Sequence, residues 1–277
     1  MFVDLHNHSN YSDGTMSPQE ILRAAKKAHV SILAITDHDV LDGSRELLKL
    51  SEKDNIHVIS GVEINALEGK DNIHVLGYGV DLENKVFCER LEENRRKLDE
   101  ISIIMIGKME AAGCSVSIEE FNKQSYNQEL GGWKALYYLM DKGITRSLTE
   151  GFALYEKYEC GYDIVDFPSV REVVRWIHQA GGIAILAHPG VSLLKEDMTL
   201  PQFGIKLEEY LSFGIDGVEC YYPKHSNDIT NICLDICRKH GLSITSGSDC
   251  HGTFQKSRIG ELRMRLEYLQ LPACLLK

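Results

Sequence analysis

The spacing of apolar and polar positions divides this chain into an α/β stretch, a helical stretch and a second α/β stretch. FVDLHNHS near the start has the period-two pattern of a strand, which places Asp4, His6 and His8 on one face. Ser17, Pro18 and Glu20 predict a helix start: serine caps, proline suits a first turn, and glutamate completes a capping box. That helix turns Ile21, Leu22, Ala25 and Ala28 toward a core. VSILAIT is a near-continuous apolar run, as expected of a strand covered on both faces. A helix around Gly43–Leu50 follows, then IHVISGVEI and IHVLGYGV as two further strands.

Near Leu82 the texture changes. LENKVFCERLEENRRKLDEISIIMIGKMEAAG predicts one long helix, with Ile101, Met105 and Met109 as an ordinary packing stripe and its charges solvated. SIEEF repeats the capping-box pattern at Ser117 and Glu120, and GWKALYYLMDKG and SLTEGFALYEKY read as further helices. No strand-like run separates them. Residues 86–165 are therefore expected to form an inserted helical lid domain, with residues 1–85 and 166–277 making up the catalytic barrel. The α/β texture resumes with SVREVVRWIHQAGG, capped by Ser169 and Glu172, and with GIAILAHPG. A helix near Leu207–Phe213, the strand DGVECYY, a helix through Ile236 and the strand LSITSGSD complete it. Such alternation predicts an α/β fold with parallel pairing and right-handed crossovers. An open sheet satisfies the same alternation, but ligand-type residues at successive strand ends point to a barrel-like arrangement.

Composition narrows the function classes. The 277 residues are 43% hydrophobic and 26% charged, normal for a globular chain with a substantial core. A net charge of −11 disfavours a duplex nucleic-acid surface, which needs a positive footprint. No apolar run reaches membrane-spanning length and no leader pattern opens the chain. The eight cysteines show no repeated paired spacing, which favours reduced thiols and a cytoplasmic location. No feature marks an obligate protein partner, and there is no phosphate loop, dinucleotide fingerprint or serine-nucleophile elbow.

The chemistry lies in where His, Asp and Glu fall. His6, His8 and Asp13 follow the first strand, His38 the second; Glu63 lies near the end of the third and His74 enters the next. His188 follows GIAILA, and Asp249 and His251 close the last strand. Imidazoles bind borderline transition metals and carboxylates bridge pairs of ions, so this set suits a multinuclear site using Mn, Zn or Fe. Paired ions lower the pKa of water and neutralise phosphoryl oxygens. His29, His57, His178 and His240 are read as surface or packing residues, Cys250 as packing, and Asp37 and Asp39 as groups that orient histidines.

Taken in order, HNH with YSDG, TDHD, GVEI, IHVLG, AHPG and GSDCHG closely resemble the polymerase and histidinol phosphatase (PHP) superfamily across nearly the whole chain. The resemblance implies a distorted seven-stranded β/α barrel and a trinuclear centre of three divalent metal ions. It implies that His6, His8, Glu63 and Asp249 surround one ion, that Glu63 bridges to a second held by His74 and His188, and that Asp13, His38 and His251 hold the third. The same nine residues are expected to carry catalysis. The insertion resembles the lid of small PHP phosphoesterases, although GGWKALYYL stands where nucleotide-directed relatives carry a basic residue followed by histidine.

The expected activity is metal-dependent hydrolysis of a small phosphomonoester, such as a nucleotide or metabolite phosphate. A phosphodiesterase or exonuclease acting on a short oligonucleotide is the second reading, and a noncatalytic metal-bound interaction protein the third. Lys134, His225, Lys256 and Arg258 are the candidate substrate contacts, because cationic groups neutralise phosphate. Tyr221 and Tyr222 are candidates for a pocket wall, with at least one in the core by alternation.

Overall fold

A computed structural model describes residues 1–52 and 54–277, and among these the apolar runs become eight strands and ten α-helices. Strands β1 (Phe2–Asp4), β2 (Val30–Leu33) and β3 (His57–Val58) form a parallel sheet in that order. Helices α1 (Pro18–Lys27) and α2 (Asp42–Ser51) lie in its connections. Ile21, Leu22 and Ala25 of α1 bury against Leu33, Ile35 and Leu47. The capping box at Ser17 and Glu20 is formed, with Glu20 accepting from the Ser17 amide at 2.9 Å.

The second sheet runs β4 (Gly61–Glu68), β5 (Asp71–Tyr78), β6 (Ile183–Leu186), β7 (Gly217–Tyr221) and β8 (Ser243–Ser246). Its last three strands are parallel, but β4–β5 and β5–β6 are antiparallel, against the expected all-parallel pairing. The cause is local: Gly69, at φ +65°, sits in a two-residue connection that sends the chain straight back. IHVISGVEI is likewise not one strand. It breaks between β3 and β4, so Glu63 is the third residue of a new strand rather than the end of an old one. Gly61 permits that start, since a Cβ there would sit 2.8 Å from the Ile35 carbonyl oxygen.

Helices α7 (Val170–Gln179), α9 (Leu200–Leu211) and α10 (Asn227–His240) cover this sheet; α8 (Pro189–Ser192) is one short turn after β6. The Ser169–Glu172 capping box forms as read. Helices α3 (Lys85–Ala111), α4 (Ile118–Lys123), α5 (Lys134–Asp141) and α6 (Leu148–Lys157) occupy the middle of the chain. Phe87 and Leu91 of α3 join the main core, whereas Ile101, Met105 and Met109 form the expected stripe against a separate cluster with Phe121, Tyr138 and Leu139. The capping box expected at Ser117 does not form: the Tyr138 hydroxyl accepts from the Ser117 amide, and Lys142 draws Glu120 away. All eight cysteines are free thiols. No described helix is long and apolar enough to cross a membrane.

Asn94 ties α3 to the edge of the ligand-bearing strands. Fully buried, its amide donates to Asp39 Oδ1 at 2.8 Å and to the Asn65 carbonyl at 2.9 Å. Asn94→Ala should therefore cost about 1–3 kcal/mol by leaving buried acceptors short of donors. The measurement is urea unfolding, with a lower midpoint at unchanged m-value expected.

Candidate metal centre

The centre assembles from strand ends and one hairpin. His6 and His8 extend beyond β1, where the His6 carbonyl accepts from the Asp249 amide at 2.9 Å and the His8 amide donates to the Cys250 carbonyl at 2.9 Å. His38, beyond β2, pairs in an isolated parallel bridge with Glu63. Within the β4–β5 hairpin Glu63 faces Leu76 and Asn65 faces His74, which makes Glu63 and His74 diagonal neighbours on one face. His188 follows β6, and Asp249 and His251 follow β8. All nine sequence-predicted ligand residues thus meet in one place, and all except His74 are buried.

Glu63 organises them. Its Oε2 lies 3.1 Å from His6 Nε2, 3.1 Å from His8 Nε2 and 3.4 Å from His38 Nδ1. Its Oε1 lies 2.9 Å from His74 Nδ1 and 3.0 Å from His188 Nε2. On the far side, Asp13 Oδ2 is 3.2 Å from His251 Nε2, and Asp13 Oδ1 is 3.4 Å from His8 Nδ1.

These spacings fit cations. His6 Nε2 and His8 Nε2 are 3.1 Å apart, and each lies within 3.4 Å of Asp249 Oδ1. Four donors about 2.0 Å from a tetrahedral ion stand about 3.3 Å from one another. Further, the buried Nδ1 atoms of His38 and His74 have no hydrogen-bond partner among the described residues, although Glu63 is close to both. Three groups of ligand atoms result: His6, His8, Glu63 and Asp249; His8, Asp13, His38 and His251; and His38, Glu63 and His74. His188 adjoins the last group through Glu63. The arrangement is that of a trimetal centre of undetermined metal.

Protons and cations compete here. Burial alone would raise the Glu63 carboxyl, but His6, His74 and His38 hold it well below the usual carboxylate range. Burial likewise opposes charge on His8, yet Asp249 and Glu63 carry that imidazole up to about 10. Burial pushes His38 the other way, to about 3, which leaves a neutral imidazole ready to coordinate.

A second layer fixes the ligands, and the sequence reading did not single it out. Glu219, fully buried, accepts from His6 Nδ1 at 3.0 Å and from the His188 amide at 2.9 Å. This fixes the His6 tautomer and frees Nε2 for the centre. The available signal was a carboxylate inside the apolar strand DGVECYY. Asp37 and Asp39, expected to orient histidines, instead accept from Ser9 and Ser12 and from Asn65 and Asn94. The Tyr222 hydroxyl donates to Asp249 Oδ2 at 2.7 Å. His188 (φ +27°) and Asp249 (φ +51°) have left-handed backbone, strain that their amide hydrogen bonds to Glu219 and His6 help to hold. Gly247 leaves room for this: a Cβ there would fall 2.0 Å from His6 Cβ.

The four candidate substrate contacts are not in the cluster. Lys134 Nζ lies over the Phe121 ring and 3.4 Å from the Asn122 carbonyl. Both ring nitrogens of His225 serve backbone, at Gly190 and Cys220. Lys256 and Arg258 are exposed and have no ion-pair partner among the described residues. The rim instead carries Arg95, which donates to the His38 carbonyl at 3.2 Å and lies over the Trp133 ring. Trp133 in turn stands 6.0 Å from His38, centroid to centroid. Arg95 was legible only as a charge one turn from buried Leu91, on the packing side of α3. Cys250, read as packing, sits in the core cluster beside α1.

The PHP domain model matches residues 4–218. The chain belongs to the PHP family. This PHP protein is 29% identical over 258 residues to a 3',5'-nucleoside bisphosphate phosphatase of Chromobacterium violaceum, across 92% of this chain and 89% of that protein. It is 28% identical over 273 residues to a phosphoribosyl 1,2-cyclic phosphate 1,2-diphosphodiesterase of Eggerthella lenta, with 92% and 95% covered. A solved structure of an amidohydrolase from Chromobacterium violaceum, with bound sulfate and no metal, superposes at TM-score 0.73 and 28% identity over 91% of this chain and 88% of that one. With its clustered ligand residues, this PHP protein is a metal-dependent phosphoesterase, a hydrolase of phosphoester bonds.

Two outcomes are expected. Glu219→Gln should weaken metal affinity about 10–100-fold while the fold persists, measured by competition against a chelator. Because His8 keeps its proton to about 10, an entering ion must displace it, so affinity rises with pH over that range. Without metal, the same raised pKa stabilises the fold fully below pH 6.5 and is lost as pH rises through about 10. Calorimetric titration at pH 7 in buffers of different ionisation heat should register net proton release; uptake without release would contradict the assignment.

Proposed function

We propose that this chain hydrolyses small phosphomonoesters at a centre of three divalent cations. His6, His8, Glu63 and Asp249 would hold the first; Glu63, His74 and His188 the second; and Asp13, His38 and His251 the third. The observation that carries this reading is Glu63, whose two oxygens divide five imidazoles between them in a buried pocket. The mixed nitrogen and oxygen donor set suits Mn, Zn or Fe. When bound, such ions supply Lewis acidity and lower the pKa of water. The chain's own residues do the positioning. Glu219 keeps the proton of His6 on Nδ1, and Tyr222 engages Asp249 Oδ2 so that Oδ1 faces the histidines. Lys256 and Arg258, exposed after His251, remain available to an approaching phosphate.

We read the two sheets as arcs of one distorted seven-stranded barrel, with β3 outside it. Supporting this, Asp39 donates to the Glu63 carbonyl between β2 and β4, and Leu5 donates to the Ser246 carbonyl between β1 and β8. Residues 86–165 would be a lid whose separate apolar cluster lets it select the group attached to phosphate. A small monoester is favoured over a polynucleotide because the net charge is −11 and Lys134, the lid's candidate phosphate contact, rests on Phe121. Phosphatase action by the nucleoside bisphosphate phosphatase relative agrees with this.

The test is anaerobic purification and metal analysis, then Mn, Fe or Zn reconstitution against phosphorylated sugars, amino-acid phosphates, nucleoside bisphosphates and short oligonucleotides. Monoester turnover is expected. His188→Ala and Asp249→Ala should lower it by about a hundredfold or more and reduce bound metal, since even partners behind the ligands are worth about 10–100-fold. Preferential nucleotide release from oligonucleotides would replace this reading with a diesterase, and no turnover at full metal occupancy would replace it with a noncatalytic metal protein.

A further inference from the structure

A neutral imidazole that gives one nitrogen to a cation carries its proton on the other, and that outer N–H needs an acceptor. Three ligands of the centre follow this rule. His6 sets Nε2 3.1 Å from Glu63, with Nδ1 3.0 Å from the Glu219 carboxylate. His188 sets Nε2 3.0 Å from Glu63, with Nδ1 3.1 Å from the Ser192 hydroxyl. His251 sets Nε2 3.2 Å from Asp13, with Nδ1 2.9 Å from the Asp249 carbonyl. Each outer nitrogen thus meets a group able to accept.

His74 is turned the other way round. Its Nδ1 is the atom 2.9 Å from Glu63 Oε1, so Nε2 is the outer nitrogen. Among the described residues, Nε2 has one hydrogen-bond partner, the Asn72 side chain at 2.9 Å. Strand geometry places that partner. Asn72 lies two residues before His74 on β5 and shares its face, and the β4–β5 ladder pairs Asn72 with Leu67 and His74 with Asn65.

The two ends of this amide are unlike. Nδ2 faces His74 Nε2, whereas Oδ1 is buried with no hydrogen-bond partner among the described residues. His74 Nδ1 is buried without one as well. With Nδ2 donating to Nε2, the ring proton sits on Nδ1 and occupies the lone pair that a cation needs. Turning the amide over exchanges two groups of nearly equal size. It brings Oδ1 onto Nε2, places the proton there and leaves Nδ1 free. One rotation therefore gives the orphaned oxygen a donor and gives His74 the same ligand form as His6, His188 and His251.

We propose that Asn72 is a positioning residue for the second cation: its Oδ1 accepts from His74 Nε2–H and so keeps the Nδ1 lone pair available to that ion. The inference rests on the assignment of His74 to the second ion, and not on which ester is hydrolysed.

The experiment is chelator competition on the zinc-loaded protein, combined with proton NMR of its downfield imidazole N–H signals. Asn72→Leu should weaken one ion by about 10–100-fold and leave the other two, which also reports that the fold is intact. Asn72→Asp, which can only accept, should restore that ion to within a few-fold of the parent. An imidazole N–H signal absent from His74→Ala should be present in the parent and in Asn72→Asp, and lost to solvent exchange in Asn72→Leu. Charge added by the aspartate cannot by itself produce that signal. Parental affinity for all three ions in Asn72→Leu overturns the proposal, as does an equal loss in Asn72→Leu and Asn72→Asp, or an N–H signal indifferent to Asn72. Retention of all three ions by His74→Ala removes the ligand assignment and this proposal with it; loss of one ion there, with Asn72→Leu unaffected, removes the role of Asn72 alone. Neither readout uses turnover, so the phosphomonoesterase reading stands or falls separately.

Discussion

Glu63 carries a negative charge at a site where only 1% of its side chain reaches solvent. Burying a carboxylate is costly unless positive charge or hydrogen-bond donors surround it, and here the surroundings are imidazoles from five different points of the chain. Protonated histidines can supply that charge, and so can cations. The fold around Glu63 answers this single requirement. The β4–β5 hairpin brings His74 to its diagonal, and β1, β2 and β6 each end where the next residues supply another ring.

The outer layer shows how much structure such a pocket needs. Glu219 bonds His6 and the His188 backbone at once, which couples two ligands through one carboxylate. Left-handed backbone at His188 and Asp249 turns side chains inward that ordinary strand continuation would direct elsewhere. Gly247 is a glycine for a plain steric reason, because His6 already occupies the space of its missing Cβ. Strain, close approach and buried charge are concentrated here, as is common where chemistry is carried out.

The ligands were legible because the chemistry needs particular residue types and places them beside strand-like runs. HNH, TDHD, AHPG and GSDCHG each follow an apolar segment, and the structure brings them together. The order of helices was legible too, since the Ser17 and Ser169 caps and the Ile101–Met105–Met109 stripe are local signals. Strand direction was not. A two-residue turn at Gly69 reverses the chain inside what reads as one α/β rhythm, and the break at Gly61 depends on a neighbour far along the sequence. Glu219, Arg95 and the true partners of His225 were hidden for the same reason: each is defined by a contact with a distant segment, and periodicity reports only on neighbours.

The carboxylate of Asp4 accepts from the amides of Ser248 and Gly260, the latter 256 positions away, and Asn7 bridges to Cys250. Segments 244 and 256 positions apart are thus stitched together directly behind His6, His8, Asp249 and His251. A chain in which residues 248–260 have not reached Asp4 and Asn7 has no partner for that seam and presents half a cage. Complete coordination therefore depends on residues 248–260 reaching this seam, so its closure and cation binding stabilise one another.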